Sequence, residues 1–152
     1  MIRFAAAGDK EQVIRLLQEA HSGGGFNDPH GFTGLVFPFD PAYAERLFLA
    51  HLVGRTLCIV HDVDGVAQGV LMAAVAEDAL SSTIIGRETV WWVNPAHRGW
   101  AAFQMLDAYE AWARELGCAA AGMAEKSDPR SADLYTRRGY CPADVFQLKA
   151  LS

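Results

Sequence analysis

Apolar side chains recur every three or four positions in one long segment of the chain. The repeating residues are Ala102, Met105, Leu106, Tyr109, Trp112, Ala113 and Leu116. This spacing places them on one face of an α-helix, while polar residues occupy the opposite face. Gly117 follows directly, and glycine readily adopts the left-handed conformation that ends many helices. The pattern therefore predicts an amphipathic helix that ends at Gly117.

An apolar run precedes this helix and stops at a tight turn. The run Thr89–Val93 ends before Pro95, and His97, Arg98 and Gly99 follow as a short basic turn. The first turn of a helix has unpaired N–H groups, and the helix dipole adds partial positive charge there. A strand, a tight turn and a helix N-terminus in this order predict an anion-binding site.

The N-terminal residues predict a short strand followed by a helix. Ile2–Ala5 alternate in polarity, as a strand does. Asp9 is expected to cap the next helix, with Gln12 as its capping-box partner. The buried face of that helix is predicted from the spacing of Val13, Leu16, Leu17 and Ala20. The helix is expected to end near His21, before a serine and glycine run.

The segment Gly23–Asp40 lacks a regular pattern but contains four phenylalanines. They are Phe26, Phe32, Phe37 and Phe39. A long aromatic loop is typical of a binding loop or a lid. The alternative is that the phenylalanines anchor the loop to the core, and the two roles are compatible. A second helix is predicted to begin here, because Asp40 suits an N-cap and Pro41 the first helical position.

Further apolar runs predict the remaining strands. They lie at Thr56–His61, Val66–Ala76, Thr83–Val93, Cys118–Met123 and Val145–Lys149. Asp64 and Gly65 predict a hairpin turn between the first two. Asp128 and Pro129 start another predicted helix, which Gly139 ends. The order β-α-α-β-β-β-α-β-α-β predicts an α/β fold, with an antiparallel centre and one parallel β-α-β unit.

Composition and net charge limit the classes of protein to which this chain can belong. The 152 residues are 51% hydrophobic and 20% charged, which fits one domain with a sizeable core. A net charge of −5 without a basic run argues against a nucleic-acid partner. No apolar stretch would span a bilayer, and the N-terminus lacks the pattern of a signal peptide. A cytoplasmic protein without a membrane partner is therefore expected.

The cysteines and histidines do not indicate a metal site. Cys58, Cys118 and Cys141 lack C-x-x-C spacing, and the histidines lack i, i+4 pairing. The three thiols are expected to be free, and buried or partly buried.

Three short motifs occur in order along the chain. They are Val93-Asn94-Pro95, Arg98-Gly99, and Leu134-Tyr135 with Gly139-Tyr140. Together they resemble the GNAT superfamily of N-acetyltransferases, in which V-x-P, an R-G-x-G-x-G/A turn and L-Y-x-x-x-G-F/Y follow in this order. The resemblance covers nearly the whole chain. It implies a mixed, mostly antiparallel sheet of six to seven strands, flanked by about four helices.

The turn after Arg98 departs from the family pattern. Counted onward from Arg98, the later glycine positions fall on Ala101 and Phe103. Aligned on the helix instead, the turn is one residue short and its final small position falls on Ala102. We prefer this second alignment, because it puts Ala102 on the packed face. Trp100 and Phe103 then lie off that face, where they either pack beneath a loop or line a ligand groove.

The resemblance implies acetyl-CoA as co-substrate. Its pyrophosphate would bind the N–H groups of about His97 to Ala102, and its pantetheine arm would lie along Trp92 to Asn94 like an extra strand. The backbone N–H near Val93 would then hold the acetyl oxygen. The implied binding residues are Trp92, Val93, Asn94, His97, Arg98, Gly99, Trp100, Ala101, Ala102 and Asp128. A plain N-cap also explains Asp128.

Attack of an amine on a thioester needs a base for the amine and an acid for the thiolate. Tyr135 matches the family tyrosine that protonates the thiolate, and Tyr140 is the alternative. Glu88 is the predicted base, because some family members place a carboxylate inside this apolar strand. It is alternatively a strand-end glutamate that faces water or pairs with a cation. His61 and His51 are further base candidates, each also explained as structural.

The resemblance thus implies acetyl transfer to a primary amine of a small molecule or a peptide. Phe26, Phe32 and Phe37 are the expected acceptor-binding residues, and they indicate an acceptor with an apolar part. The alternative is a non-catalytic or weakly CoA-binding GNAT-fold module for binding or assembly, which the atypical turn favours. Proteins of this kind often dimerise through their C-terminal strands, so a homodimer is a further expectation.

Overall fold

One mixed sheet forms the centre of the protein. The computed structural model describes residues 1–31, 33–125 and 129–151. Its strands are β1 (Ile2–Phe4), β2 (Thr56–Val63), β3 (Val66–Glu77), β4 (Ile84–Val93) and β5 (Ala120–Gly122), in that spatial order. Neighbouring strands are antiparallel except β4 and β5, which are parallel. The predicted mostly antiparallel sheet with one parallel pair is confirmed.

The helices follow the predicted order. They are α1 (Lys10–Gly23), α2 (Pro41–Ala50), α3 (Trp100–Glu115) and α4 (Pro129–Arg137). Between α1 and α2 the chain is irregular, with one bridge between Asn27 and Val36 among its described residues. No helix in the described part of the chain has the length and apolarity needed to cross a membrane.

Two cores lie on opposite faces of the sheet. On one face, α1 and α2 bury residues that include Val13, Leu16, Leu17, Phe48, Cys58, Val60, Val70 and Met72. On the other face, α3 buries residues that include Leu57, Ile59, Leu71, Met105, Leu106 and Tyr109. Alternate residues of β2 and β3 enter opposite cores, as the two-residue period of a strand requires. The apolar side chains of β4 are likewise divided between the two cores.

Local turn chemistry behaves as the sequence predicts at three places. Asp64 and Gly65 join β2 to β3 with φ values of 52° and 81°, which suit a tight hairpin. Asp40 caps α2 by accepting the N–H groups of the next helical turn. Gly117 follows α3 with φ 78°, and the Cys118 N–H bonds back to the helix over 3.0 Å.

The predicted capping box between Asp9 and Gln12 is wrong. The Asp9 carboxylate accepts both terminal nitrogens of Arg3, at 2.8 and 2.9 Å, and the Ala6 N–H at 2.8 Å. Gln12 reaches the start of β3 instead, where its amide oxygen accepts the Ala67 N–H over 2.6 Å. The physical reason is that a bidentate guanidinium is a stronger partner for a carboxylate than a helix N–H.

The predicted last strand, Val145–Lys149, is not formed. Residues 141–151 contain neither helix nor strand, and Phe146 is 85% exposed. β5 is a three-residue edge strand that is itself half-exposed to exposed, not buried as expected, and it offers little ladder for another strand. The described sheet therefore has five strands, fewer than the six to seven expected. Cys141 is exposed, in contrast to the expectation for all three thiols.

We predict that the substitution Asp9→Asn destabilises the protein at neutral pH and has a smaller effect in acid. The hydrogen bonds from Arg3 hold the pKa of Asp9 below its ordinary value in the folded protein. A carboxylate whose pKa is lower in the folded than in the unfolded protein stabilises the folded state above the unfolded pKa of about 4. This stabilisation is lost as the pH falls through the folded pKa. At pH 7 we expect Asp9→Asn to lower the free energy of unfolding by about 1–3 kcal/mol.

Denaturant unfolding at pH 7 and pH 3 checks this, with Asp133→Asn as the control. Asp133 pairs with Arg137 through side chains that are 75% and 76% exposed, so its replacement should have little effect at either pH. An equal loss of stability at both pH values for Asp9→Asn would contradict the prediction.

Candidate active site

β4 separates from β5 near its middle. The parallel ladder ends at Arg87, which lies opposite Gly122, and β4 continues to Val93. On its other side, β4 carries an extra residue against β3: Ala73 pairs with Glu88 and Met72 with Val90. Thr89 is this extra residue, a β-bulge, and a bulge bends its strand and increases the twist. Among the described residues, no strand pairs with the outer edge of β4 beyond Arg87.

The two predicted catalytic residues meet at this point. The Ala124 N–H donates to Glu88 Oε2 over 2.8 Å, and Tyr135 Oη donates to the Ala124 carbonyl over 3.2 Å. Glu88 is half-buried on β4, and Tyr135 of α4 is 7% exposed. The fold therefore brings Glu88 and Tyr135 to the two polar groups of a single residue, just after β5.

The tyrosines at this site are held protonated. Burial, followed by the charge of Glu88, raises the pKa of Tyr135. The Tyr135 ring lies 6.2 Å from the Trp91 ring and 5.6 Å from the Tyr140 ring, measured between centroids. Burial and the charge of Glu110 likewise raise the pKa of Tyr140, whose hydroxyl donates to that carboxylate over 3.1 Å. Tyr140, the alternative acid, is thus tied to α3, and Tyr135 lies nearer the open edge.

The turn after β4 has the geometry of an anion site. A short 3₁₀ turn, Pro95–His97, is followed by Gly99 and the start of α3. Gly99 has φ 102° and ψ −118°, a conformation essentially limited to glycine. A Cβ at Gly99 would meet nothing within 4 Å, so open space lies beside this turn. The N–H groups of Trp100 and Ala101 have no partner one helical turn earlier, because α3 begins there.

Arg98 is held at the end of β4. Its Nε donates to the Val93 carbonyl over 2.9 Å, and its guanidinium lies 5.0 Å from the Trp92 ring. The Trp92 indole N–H donates to Glu19 of α1 over 3.2 Å. Asn94 is fixed to β3 by two hydrogen bonds to Gln68, one from its backbone and one from its side chain. The predicted cofactor residues at the end of β4 are therefore in one place.

The first turn of α3 differs from the prediction. Ala101 is buried and Ala102 is half-buried, so Ala101, and not Ala102 as expected, lies on the packed face. The buried ridge runs in steps of four residues through Ala101, Met105, Tyr109 and Ala113. Trp100 is 74% exposed, which excludes packing beneath a loop. Its ring lies 6.2 Å from that of Phe103 at the turn.

His61 and His97 lie side by side near this turn. Their ring centroids are 6.2 Å apart. The Nδ1 atom of His61 is buried and has no hydrogen-bond partner within the described ranges. Burial, the charge of the chain N-terminus and His97 together lower the pKa of His61. His61, a reserve base in the sequence analysis, therefore lies beside the anion turn rather than beside Glu88.

His51 lies beside the bulge, on the face of the sheet that α1 and α2 cover. It is 8% exposed at the end of α2. Its Nδ1 lies 2.9 Å from the Leu47 carbonyl, and its Nε2 lies 2.8 Å from Thr89 Oγ1. Sequence reasoning did not single out Thr89, because a bulge depends on strand register, which one strand alone does not reveal.

A pocket of about 300 Å³ opens between α1, α2 and β4. It is lined by Leu17, Ala20, His21, Gly24, Phe26, Phe39, Asp40, Tyr43, Ala44, Leu47 and Val90. Phe26, a predicted acceptor residue, lines the pocket, and Phe37 stacks on it with centroids 5.1 Å apart. Phe39, the last phenylalanine of the aromatic loop, lines the pocket as well. Phe32, another predicted acceptor residue, and Asp128, a predicted cofactor residue, lie outside the described residues.

Metal ligands do not cluster in the part of the chain that the structure describes: no group of three His, Cys, Asp or Glu residues could hold an ion there. The three cysteines are free thiols.

Several solved structures share the fold. An aminoglycoside 6′-N-acetyltransferase from Acinetobacter haemolyticus aligns with TM-score 0.74 and 16% identity, over 100% of this chain and 99% of its own. A ribosomal-protein-alanine N-acetyltransferase from Brucella melitensis aligns with TM-score 0.73 and 16% identity, over 99% of each chain. A predicted acetyltransferase from Clostridium acetobutylicum, crystallised with acetyl-CoA, aligns with TM-score 0.78 and 15% identity, over 99% and 96%.

The sequence itself carries the family assignment. No curated protein sequence matches the chain. The model of the Acetyltransferase (GNAT) family matches residues 13–140, which is more than half of the chain. The protein therefore belongs to the GNAT acetyltransferase family.

Proposed function

We propose that the protein transfers an acetyl group from acetyl-CoA to a primary amine. The observation that carries this proposal is the convergence of Glu88 and Tyr135 on Ala124, at the open edge of β4. A protonated phenol can supply the proton that the leaving thiolate needs, and the carboxylate beside it is one candidate for the base. When bound, acetyl-CoA supplies the activated acetyl thioester.

The residues near α3 fit the phosphates of CoA. The free N–H groups at the start of α3 and the positive end of its dipole favour an anion. Gly99 leaves open space beside these groups, and Arg98 and His97 add donors that carry or can take up positive charge. The exposed ring of Trp100 offers a surface on which a nucleobase can stack.

The edge of β4 fits the extended arm of CoA. Trp92 and Val93 lie on the part of β4 that no described strand covers, and Asn94 follows it. Unpaired strand edges accept peptide-like chains through backbone hydrogen bonds. A backbone N–H near Val93 would also bind the acetyl oxygen, where negative charge develops during attack.

Tyr135 is the proposed acid for the leaving thiolate. Its raised pKa keeps the phenol protonated at neutral pH. Its hydroxyl proton now points to the Ala124 carbonyl, and rotation about the C–O bond redirects it. Glu88, the base expected from the sequence, stands on the same side of β4, where its carboxylate holds the Ala124 N–H.

The pocket between α1, α2 and β4 is the proposed acceptor site. Phe26, Phe39 and Tyr43 give it aromatic walls, and Asp40 adds a carboxylate. Aromatic faces and a negative charge favour a cationic amine that carries an apolar or aromatic group. The pocket reaches Val90, so the acceptor would meet β4 next to the bulge.

A second candidate function is a non-catalytic module on the same fold. In such a module, the hydrogen bonds of Glu88 and Tyr135 to Ala124 would only close the segment after β5. The atypical first turn of α3 favours weak CoA binding for the same candidate. Binding and turnover measurements separate the two functions.

We predict that Gly99→Ala weakens acetyl-CoA binding about tenfold, since the side chain forces the turn out of a glycine-only conformation. Gly117→Ala is the matched control at the other end of α3, where φ is also positive and a Cβ would meet nothing within 4 Å. Calorimetric titration with acetyl-CoA, desulfo-CoA and ATP checks this. Wild-type protein that is folded but binds no acetyl-CoA would favour the non-catalytic module.

Tyr135→Phe is expected to lower kcat about 100-fold, because it removes the acid. Tyr109→Phe is the matched control, since the buried Tyr109 hydroxyl donates to the Gly122 carbonyl over 2.8 Å in the same segment. Both variants lose one hydrogen bond, at about 1 kcal/mol of stability. Steady-state kinetics beside thermal melts check this, and equal kcat for the two variants would remove Tyr135 as the acid.

Phe39→Ala should raise the KM for an arylalkylamine by about tenfold and leave the Kd of acetyl-CoA unchanged. The reason is the loss of apolar contact area in the pocket wall. Phenethylamine is the probe, and Phe146→Ala, at a site that is 85% exposed, is the control. An unchanged KM for phenethylamine would place the acceptor elsewhere.

A further inference from the structure

The bulge in β4 places two consecutive residues on the same face of the sheet. Val90 packs against the core under α1 and α2, and Thr89 Oγ1 bonds His51 at the end of α2. In a regular strand, one of these two side chains would point to α3. Glu88 lies on the face that α3 covers. Residues two apart in a strand share a face, and Gly86 faces Tyr109 of α3.

The proton positions in the His51–Thr89 pair follow from its partners. The Leu47 carbonyl can only accept, so Nδ1 of His51 must carry a hydrogen. In the neutral ring, Nε2 is then the acceptor, and the Thr89 hydroxyl donates to it over 2.8 Å. The lone pairs of Thr89 Oγ1 are left available, and Thr89 is exposed. A hydroxyl arranged in this way can accept a proton while it passes its own to the imidazole.

The pair also lies next to the proposed acceptor pocket. Leu47, whose carbonyl fixes His51, lines that pocket, and so does Val90, the neighbour of Thr89. The amine would therefore approach β4 from the face that carries Thr89. Glu88 faces α3 and accepts the Ala124 N–H, so in this inference it positions Ala124 and does not act as the base.

We propose that Thr89 and His51 remove the proton from the amine during acetyl transfer, an inference that rests on the proposed function. A cationic acceptor first loses one proton to water, because only the neutral amine can attack. The amine nitrogen then forms a bond to the acetyl carbon, and the carbon–sulfur bond breaks. The nitrogen gives one proton to Thr89 Oγ1 as the Thr89 proton moves to His51 Nε2, and Tyr135 protonates the sulfur. His51 then returns the proton from Nε2 to Thr89 Oγ1, the exposed hydroxyl passes one to water, and Tyr135 regains one from water. Thr89 touches the acceptor, and His51 acts through it.

The surroundings of His51 suit this transfer. The C-terminal end of α2 favours a positive charge, which is the state His51 reaches when it accepts the proton. On its other side lies an open cavity of about 420 Å³, lined by residues that include Phe4, His51, Thr56 and Cys58. Burial raises the pKa of the Cys58 thiol to about 12, so this neighbour stays uncharged at neutral pH.

Replacement of Thr89 separates the relay from a purely structural contact. Thr89→Val keeps the shape and removes the hydroxyl, whereas Thr89→Ser keeps the hydroxyl. We expect Thr89→Val to lower kcat with phenethylamine about 100-fold, with the Kd of acetyl-CoA unchanged, and Thr89→Ser to stay within about threefold of wild type. Equal kcat values for the two variants, with both folded by thermal melts, would overturn the relay.

Chemical rescue tests His51 independently. The cavity beside His51 can admit free imidazole, so His51→Ala should regain turnover as imidazole is added. The double variant His51→Ala, Thr89→Val should not. Absence of rescue from a folded His51→Ala protein that still binds acetyl-CoA would overturn the role of His51.

A measurement without turnover completes the test. Long-range ¹H–¹⁵N NMR of the free wild-type protein near pH 8 should show His51 protonated at Nδ1 and not at Nε2. The opposite tautomer would overturn the relay. Wild-type protein that acetylates no amine would overturn the proposed function and the relay together, whereas wild-type turnover with unaffected variants would overturn the relay alone.

Discussion

The extra residue in β4 is the constraint on which the rest of the site depends. A parallel edge strand of three residues is held by Ile85, Gly86 and Arg87, and the bulge follows two residues later. Without the bulge, alternation would send Thr89 and Val90 to opposite layers. The open strand edge begins where β5 ends, and the bulge beside it turns a hydroxyl toward α2.

This single strand separates two kinds of chemistry. On the α3 side, Tyr135 and Glu88 surround Ala124, where the thiolate of the proposed reaction would leave. On the α1 and α2 side, Thr89 and His51 stand beside the aromatic pocket. In the proposed reaction, the group that accepts the proton of the amine and the group that protonates the thiolate are therefore different and lie on opposite faces of β4.

Sequence periodicity predicted most of the fold, because helices and strands with one buried face repeat at fixed intervals. The face of α3 and the hairpin at Asp64 followed from local spacing and turn chemistry. The prediction failed where the structure depends on residues outside the local segment. Asp9 binds Arg3 instead of capping its helix, and the last predicted strand lacks an adequate neighbouring strand. The same limit hid Thr89, whose orientation depends on the register of β3 and not on its own segment. Tyr135 and Glu88 could be named as candidates because one lies in a motif and the other is a carboxylate in an apolar strand.

The end of α1 restricts how the aromatic loop and the turn after β4 can vary. A Cβ at Gly23 would lie 2.8 Å from the Trp92 ring, so α1 can approach β4 this closely only without a side chain there. Trp92 in turn lies under the Arg98 guanidinium, and Gly23 is the residue from which the aromatic loop departs. The aromatic loop and the turn after β4 are thereby mechanically linked through one indole ring. A change of acceptor specificity that repositions the start of the loop would displace this ring, and so carry a cost in the placement of Arg98.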